Sequence, residues 1–335
     1  MNKVAVIGTG GTISNAGGEP LDSLSYMDVG KVLELEEVLA RFPLIHEVAE
    51  VELVPFVNLR SKAVGPAEWV RLREVVQEQL GRPDIHGVII THGTATLEET
   101  AYFLHLTVPT QKPIVVVGAQ RPASAVSSDA YLNVINALRV AGSPEAVGLG
   151  ATVVMNDTIN SAREVTKSSN HRLHTMQSPE LGPLGYVDPD GAVVVYRASR
   201  RRHTTTSEFA THSAWAESRD YPRVDISYGY AGADGADVEA FVAAGAQAII
   251  VAGLPPGLNA PGQEEQLVRA AEAGVVVVQS SRAGGSRVVP RPTRTVLADA
   301  PTADNLMAQS ARVLTQVALT TGTPQAALQR IFDTY

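Results

Sequence analysis

Short β-branched runs recur along this chain, and segments with apolar residues at helical spacing fill the gaps between them. The runs are KVAVI at 3–7, GVII at 87–90, IVVV at 114–117, TVVM at 152–155, AVVVY at 192–196, VDIS at 224–227, AIIVA at 248–252 and VVVVQ at 275–279. Uninterrupted apolar strands alternating with helices predict an α/β architecture with a parallel sheet covered on both faces. PAEWVRLREVVQEQL at 66–80 has a proline in its first turn and apolar residues three and four apart, so it predicts one of the covering helices. DVEAFVAAG at 237–245 and EEQLVRAAEAG at 264–274 each predict a helix that ends at a glycine C-cap. The segment 198–222 is rich in Arg, Thr and Ser and has no clear period. It predicts a linker, drawn at 201–221, between a larger N-terminal domain at 1–200 and a smaller C-terminal α/β domain at 222–335.

Composition narrows the function classes. With 335 residues, 44% of them apolar, each of two domains can bury its own core. No cysteine is present, which excludes disulfides, thiolate metal sites and cysteine nucleophiles. A formal net charge of −8 argues against a nucleic-acid partner, which would call for a basic face. The local cluster Arg197, Arg200, Arg201, Arg202 and His203 reads as a solvated loop. MNKVAVIG enters a strand-like run at once, and no apolar run is long enough to span a bilayer, so a soluble, cytoplasmic protein without membrane contact is expected.

Ligands of parallel α/β sheets gather at the carboxyl ends of the strands, and three stretches that follow predicted strands concentrate polar groups. GTGGTIS at 8–14 is a glycine-rich turn whose amides can face an anion, with Thr12 placed as a nucleophile. It lacks both the Gly-Lys-Ser/Thr of a P-loop and the GxGxxG spacing of a dinucleotide site. In THGTATLEETAYFL at 91–104, Thr96 and Glu99 have capping-box spacing and read as a helix start, which leaves His92 and Thr94 without a structural explanation. MNDTINSAREVTKSSN at 155–170 carries Lys167 in an irregular polar segment, where a solvated lysine is the plain reading.

Taken together, GTGGTI at 8–13, THGTATLEETAYFL at 91–104, VVVGAQRP at 115–122, VVMNDTINSAREVTK at 153–167 and SPELGPLGYV at 178–187 resemble the bacterial-type L-asparaginases, as do ARVLTQVAL at 311–319 and IFDTY at 331–335. The resemblance implies an amidohydrolase with a large N-terminal and a small C-terminal α/β domain. It also implies a small-molecule amide substrate, no metal or other cofactor, and a homodimer or homotetramer with sites at the dimer interface. By position, Thr12 resembles the family's nucleophile and Tyr26 the mobile-loop tyrosine that assists it, while Thr94 and Lys167 resemble the second threonine and its lysine. Gly11 and Gly93 fall in the substrate-binding turns, and Ser61, followed by Lys62, resembles the serine that holds the substrate's α-carboxylate. A threonine hydroxyl needs a nearby base or a cation to attack at neutral pH. A lysine kept neutral by burial can be that base; kept charged, it can stabilise an alkoxide. SNAGGEPLDSLSYMDVG at 14–30 has the composition of a lid that carries Tyr26.

The chain departs from that pattern at Ala95, where the family carries an aspartate that contacts the substrate's α-ammonium and orients the lysine. Lys62 replaces a Gln or Glu, GLPPGLNAPGQ at 253–263 lacks the family's Gly-Asn-Gly-Asn, and AGGSRVVPRPTR at 283–294 contains no acid. Each change disfavours a bound ammonium, which without a counter-charge loses hydration for little return. The expectation is therefore a substrate with no free α-ammonium: an N-acylated, deaminated or cyclic amide or imide. Two alternatives stand beside it. One is an L-asparaginase or glutaminase acting on the free amino acid, with Ala95 a weakening or introduced substitution; the other is a non-catalytic binding protein on the same fold.

Overall fold

The computed structural model describes residues 1–59, 63–217, 221–291 and 297–335. They form two compact units, Met1–Thr211 and His212–Tyr335. In the first, eight strands make one sheet: β1 (Lys3–Gly8), β2 (Glu50–Val54), β3 (Ile85–Thr91), β4 (Ile114–Val117), β5 (Ala151–Met155), β6 (Thr158–Ser161), β7 (Gly185–Val187) and β8 (Val193–Val195). Their spatial order is β8-β7-β6-β5-β4-β3-β1-β2. The five strands from β5 to β2 pair in parallel, and all but the edge strand β2 are buried along most of their length.

The other end of the sheet is antiparallel, so the expected parallel sheet is extended into a mixed one. Asn156 and Asp157, both at positive φ (51° and 62°), join β5 to β6 with Met155 opposite Thr158. Such a two-residue turn reverses the chain in place and leaves no room for a crossover helix, and Asn and Asp tolerate its left-handed backbone. AVVVY thus becomes the outermost strand, which pairs antiparallel with β7.

Three helices of this unit matter for the site: α1 (Pro66–Gly81), α2 (Leu97–Thr107) and α3 (Ala130–Ala141). In α1, Trp69, Val70, Leu72, Arg73, Val76 and Leu80 are buried, the one-faced pattern read from its spacing. α2 differs in kind, because Leu97, Glu98 and every residue from Thr100 to Thr107 are buried. A helix buried on nearly all faces is held by its surroundings, and its first turn is fixed with it. Part of the predicted linker packs here: Ser207 Oγ donates to Leu106 O at 2.6 Å, Phe209 is buried, and Ala210 O accepts from the Arg73 guanidinium at 2.8 Å.

The second unit has a parallel three-stranded sheet, β9 (Val224–Tyr228), β10 (Ala248–Gly253) and β11 (Val276–Ser281). Its helices include α4 (Ala236–Ala243), α5 (Pro261–Glu272), α6 (Ala308–Thr320) and α7 (Leu328–Thr334). Gly245 and Gly274 follow α4 and α5 at φ 82° and 88°, the left-handed exits read from the sequence.

Candidate active site

β1, β3 and β4 are neighbours running the same way, so the loops after Gly8, Thr91 and Val117 emerge side by side at their carboxyl ends. Thr9 locks the first loop to the second: its amide and its hydroxyl both donate to Thr91 O, at 3.0 and 2.8 Å. Gly10 and Gly11 follow at φ 97° and 92°, and the chain then tightens into a short 3-10 turn at Thr12–Ser14. A Cβ on Gly11 would lie 2.3 Å from both the amide nitrogen and the Cα of Gly93. No side chain fits at Gly11, and the contact brings together the loops that carry Thr12 and Thr94. Gly118 completes the floor, because a Cβ there would lie 2.9 Å from the Thr94 methyl.

Two hydroxyl pairs stand on this junction. Thr12 Oγ1 and Tyr26 Oη are 3.1 Å apart, within hydrogen-bond reach. Burial and the nearby charges of Asp129 and Asp22 push the Tyr26 phenol up, while its bond to Thr12 works the other way; Tyr26 therefore stays protonated at neutral pH. Lys167 Nζ donates to Thr94 Oγ1 at 2.6 Å, and Thr94 is only 5% exposed. Burial pulls the Lys167 ammonium down and the charge of Glu98 opposes it. The lysine can thus exchange protons with the threonine hydroxyl more readily than a solvated amine could.

The segment carrying Tyr26 lies closed against the loop after β4. Gly17 N donates to Ser124 Oγ at 2.8 Å, Ala123 N to Asn15 O at 3.2 Å and Val126 N to Pro20 O at 2.8 Å. Asp22 Oδ1 accepts from the amides of Leu24 and Ser25 and so starts the short helix Tyr26–Val29. Asp129 braces the facing loop by accepting from the amides of Gln120 and Arg121.

His92 acts beneath the site. Gly93 O can only accept, so His92 Nδ1 carries the proton of that 2.8 Å bond and Nε2 is left as an acceptor. Thr100 Oγ1 donates to Nε2 at 3.0 Å and accepts from Trp69 Nε1 at 2.8 Å. A neutral imidazole satisfies the whole chain, and burial pulls His92 down to about 4, against a smaller opposing effect of the Gly93 carbonyl. The histidine that the motif left unexplained fixes the carbonyl of the glycine on which the junction rests.

The structure brings Gly11, Thr12, Tyr26, Gly93, Thr94 and Lys167 to this junction. Ser61 and Lys62 lie outside the described residues. Ala95 is exposed beside Thr94. Thr96 does occupy the N-cap of α2, but at φ −131° and ψ 14° its side chain makes no capping hydrogen bond, which corrects the capping-box reading. Arg197, read as solvated, instead pairs with Glu164 at 2.6 Å and donates to Pro183 O at 3.0 Å. Glu98 was missed: 7% exposed, it accepts from the Lys167 amide at 2.5 Å. Its signal was an acid in a segment, LEETAYFLHLT, that is apolar on most faces. Among the described residues no helix is long and apolar enough to cross a membrane.

Residues 3–201 match the family model of the asparaginase N-terminal domain, and residues 223–332 that of the glutaminase/asparaginase C-terminal domain. A glutaminase-asparaginase of Pseudomonas fluorescens biotype A is 38% identical over all of this chain and 91% of its own length. An L-asparaginase 2 of Bacillus subtilis (strain 168) is 35% identical over all of this chain and 87% of its own. The crystal structure of a probable cytoplasmic L-asparaginase from Campylobacter jejuni superposes with a TM-score of 0.93, at 32% identity and with both chains fully covered. These relatives carry names of asparagine and glutamine hydrolases and lend no support to the amine-free substrate expected from Ala95.

Proposed function

The chain belongs to the asparaginase family of amidohydrolases, hydrolases of carbon–nitrogen bonds other than peptide bonds, and on that premise we propose that it releases ammonia from the side-chain amide of free asparagine or glutamine. Thr12 is the nucleophile in this reading. Its Oγ1 bonds to the amide carbon, the carbonyl oxygen takes the displaced electron pair, and the amide nitrogen leaves with a proton as ammonia. Water then attacks the resulting ester and restores the threonine. Tyr26 orients the Thr12 hydroxyl, and the Thr94–Lys167 pair moves the proton that the attack displaces. Ser61 holds the α-carboxylate. The observation that carries the reading is the pairing itself: two threonine hydroxyls on abutting glycine turns, each within 3.1 Å of a titratable group.

A homodimer or homotetramer with its sites at the dimer interface, and a cytoplasmic location, belong to the same proposal. The test is a panel of asparagine, glutamine, N-acetylasparagine and succinamate, followed by ammonia release. The proposal expects turnover of asparagine or glutamine above the two compounds that lack a free amine. Turnover confined to those two compounds sinks it.

A further inference from the structure

Lys167 is gripped at two points by one stretch of chain. Its Nζ reaches Thr94 Oγ1 at 2.6 Å, and its own amide donates to Glu98 Oε2 at 2.5 Å. Thr94 and Glu98 are four residues apart, spanning the start of α2, so a single rigid turn sets both the position of the lysine's backbone and the reach of its amine. The segment bearing Lys167 is short: Thr166–Lys167 is a two-residue strand that pairs with Met176–Gln177. Glu98 is buried and sits in the first turn of a helix, where the free amides favour a negative charge. Ala95, next to Thr94, brings no carboxylate.

We infer that Glu98 is a positioning residue for amide hydrolysis: from within α2 it clamps the Lys167 backbone and supplies the counter-charge that Ala95 cannot. The inference rests on the reading of Lys167 as part of the proton-moving pair. Among the described elements beside Lys167, α2 brings Glu98, the turn before it brings the Thr94 hydroxyl, and Met176–Gln177 brings no titratable side chain. The carboxylate keeps the lysine protonated to higher pH than burial alone would allow, consistent with the opposing effects of burial and Glu98 on the ammonium.

Two substitutions separate the clamp from the charge. Glu98→Gln retains an oxygen that can accept from the Lys167 amide but removes the charge; Glu98→Ala removes both. The chain has five lysines, Lys3, Lys31, Lys62, Lys112 and Lys167, so the ε-carbon resonance of Lys167 can be assigned by comparison with Lys167→Met. In Glu98→Gln that resonance is expected to titrate at lower pH than in the parent protein, and the matching limb of the kcat profile to move with it. In Glu98→Ala, kcat is expected to fall about 100-fold at every pH with KM little changed, the cost of a misplaced group. A Lys167 titration unmoved by Glu98→Gln overturns the inference, as does a Glu98→Ala protein whose kcat stays within two-fold of the parent. The titration needs no substrate. An unmoved resonance therefore counts against the counter-charge, an undiminished Glu98→Ala against the clamp, and silence on the amide panel against the proposed reaction.

Discussion

The carboxyl ends of β1 and β3 in the first unit and of β9 in the second hold the same topological place in a parallel sheet, and both gather hydroxyls and acids. Ser227, near the end of β9, is fully buried; its hydroxyl donates to Asp237 at 2.6 Å and accepts from Gln263 Nε2 at 2.8 Å. Thr12 is half-buried on a turn of its own and meets the phenol of Tyr26. The serine's lone pairs and proton are taken up in bracing α4 and α5 against their sheet. The threonine is only half-buried, and its hydroxyl lies beside the protonated phenol of Tyr26. Placement at a strand end does not by itself make a site, and neither does a titratable partner, which Ser227 has in Asp237; the hydroxyl must also be open to a substrate.

The largest expected effect on this contrast is that of Lys167→Met. It removes the amine from Thr94 and should lower kcat by about 10²–10⁴-fold, as loss of a general acid or base does; steady-state ammonia release at saturating substrate checks it. Gly11→Ala tests the junction. The new Cβ has no space at 2.3 Å from Gly93 and the φ of 92° strains any side chain, so Thr12 should shift and kcat fall about 100-fold. A crystal structure of the variant should show the two loops parted.

Acid should weaken the floor of the site. His92 binds its proton near pH 4 when folded and near 6.5 when unfolded, so the unfolded chain takes up the proton first as pH falls. Stability from this group is intact above pH 6.5, declines between 6.5 and about 4, and is flat below, a total of about 3 kcal/mol. Urea unfolding of the parent and of His92→Gln across that window checks the slope. The smallest effect belongs to Ser227→Ala, which should cost about 1–3 kcal/mol of stability by leaving Asp237 and Gln263 short of a partner, with kcat within two-fold of the parent.

How far the sequence foretold this depends on which signal each element carries. The eight apolar runs all became strands, and six of them are buried nearly throughout, which leaves a continuous apolar mark; AVVVY and VDIS are only partly buried. EVELV at 50–54 escaped notice because the reading followed continuous apolar runs, whereas an edge strand shows itself by alternating Glu with apolar residues. TINS and GYV escaped as well, being too short to show a period. Asn156-Asp157, a pair that tolerates the left-handed backbone of the hairpin, carried the signal that the sheet turns antiparallel there, and it went unread. At the site, Thr12, Thr94 and Lys167 were legible through their motifs. The Gly11–Gly93 contact and the Glu98 clamp were not, because each joins residues some 70 to 80 positions apart whose meeting is set by strand order. Ala95 misled in the opposite way: a missing acid was visible in the sequence, while the buried acid one turn further on, Glu98, drew no reading.

The central claim is that Thr12, and no other hydroxyl at these sheet ends, performs the chemistry. The most direct test is ammonia release from asparagine and glutamine by the parent protein, Thr12→Ala and Ser227→Ala, prepared side by side and shown to be folded by their thermal unfolding. The account predicts turnover in the parent and in Ser227→Ala and its loss by at least about 10³-fold in Thr12→Ala. Turnover in Thr12→Ala within ten-fold of the parent would contradict it.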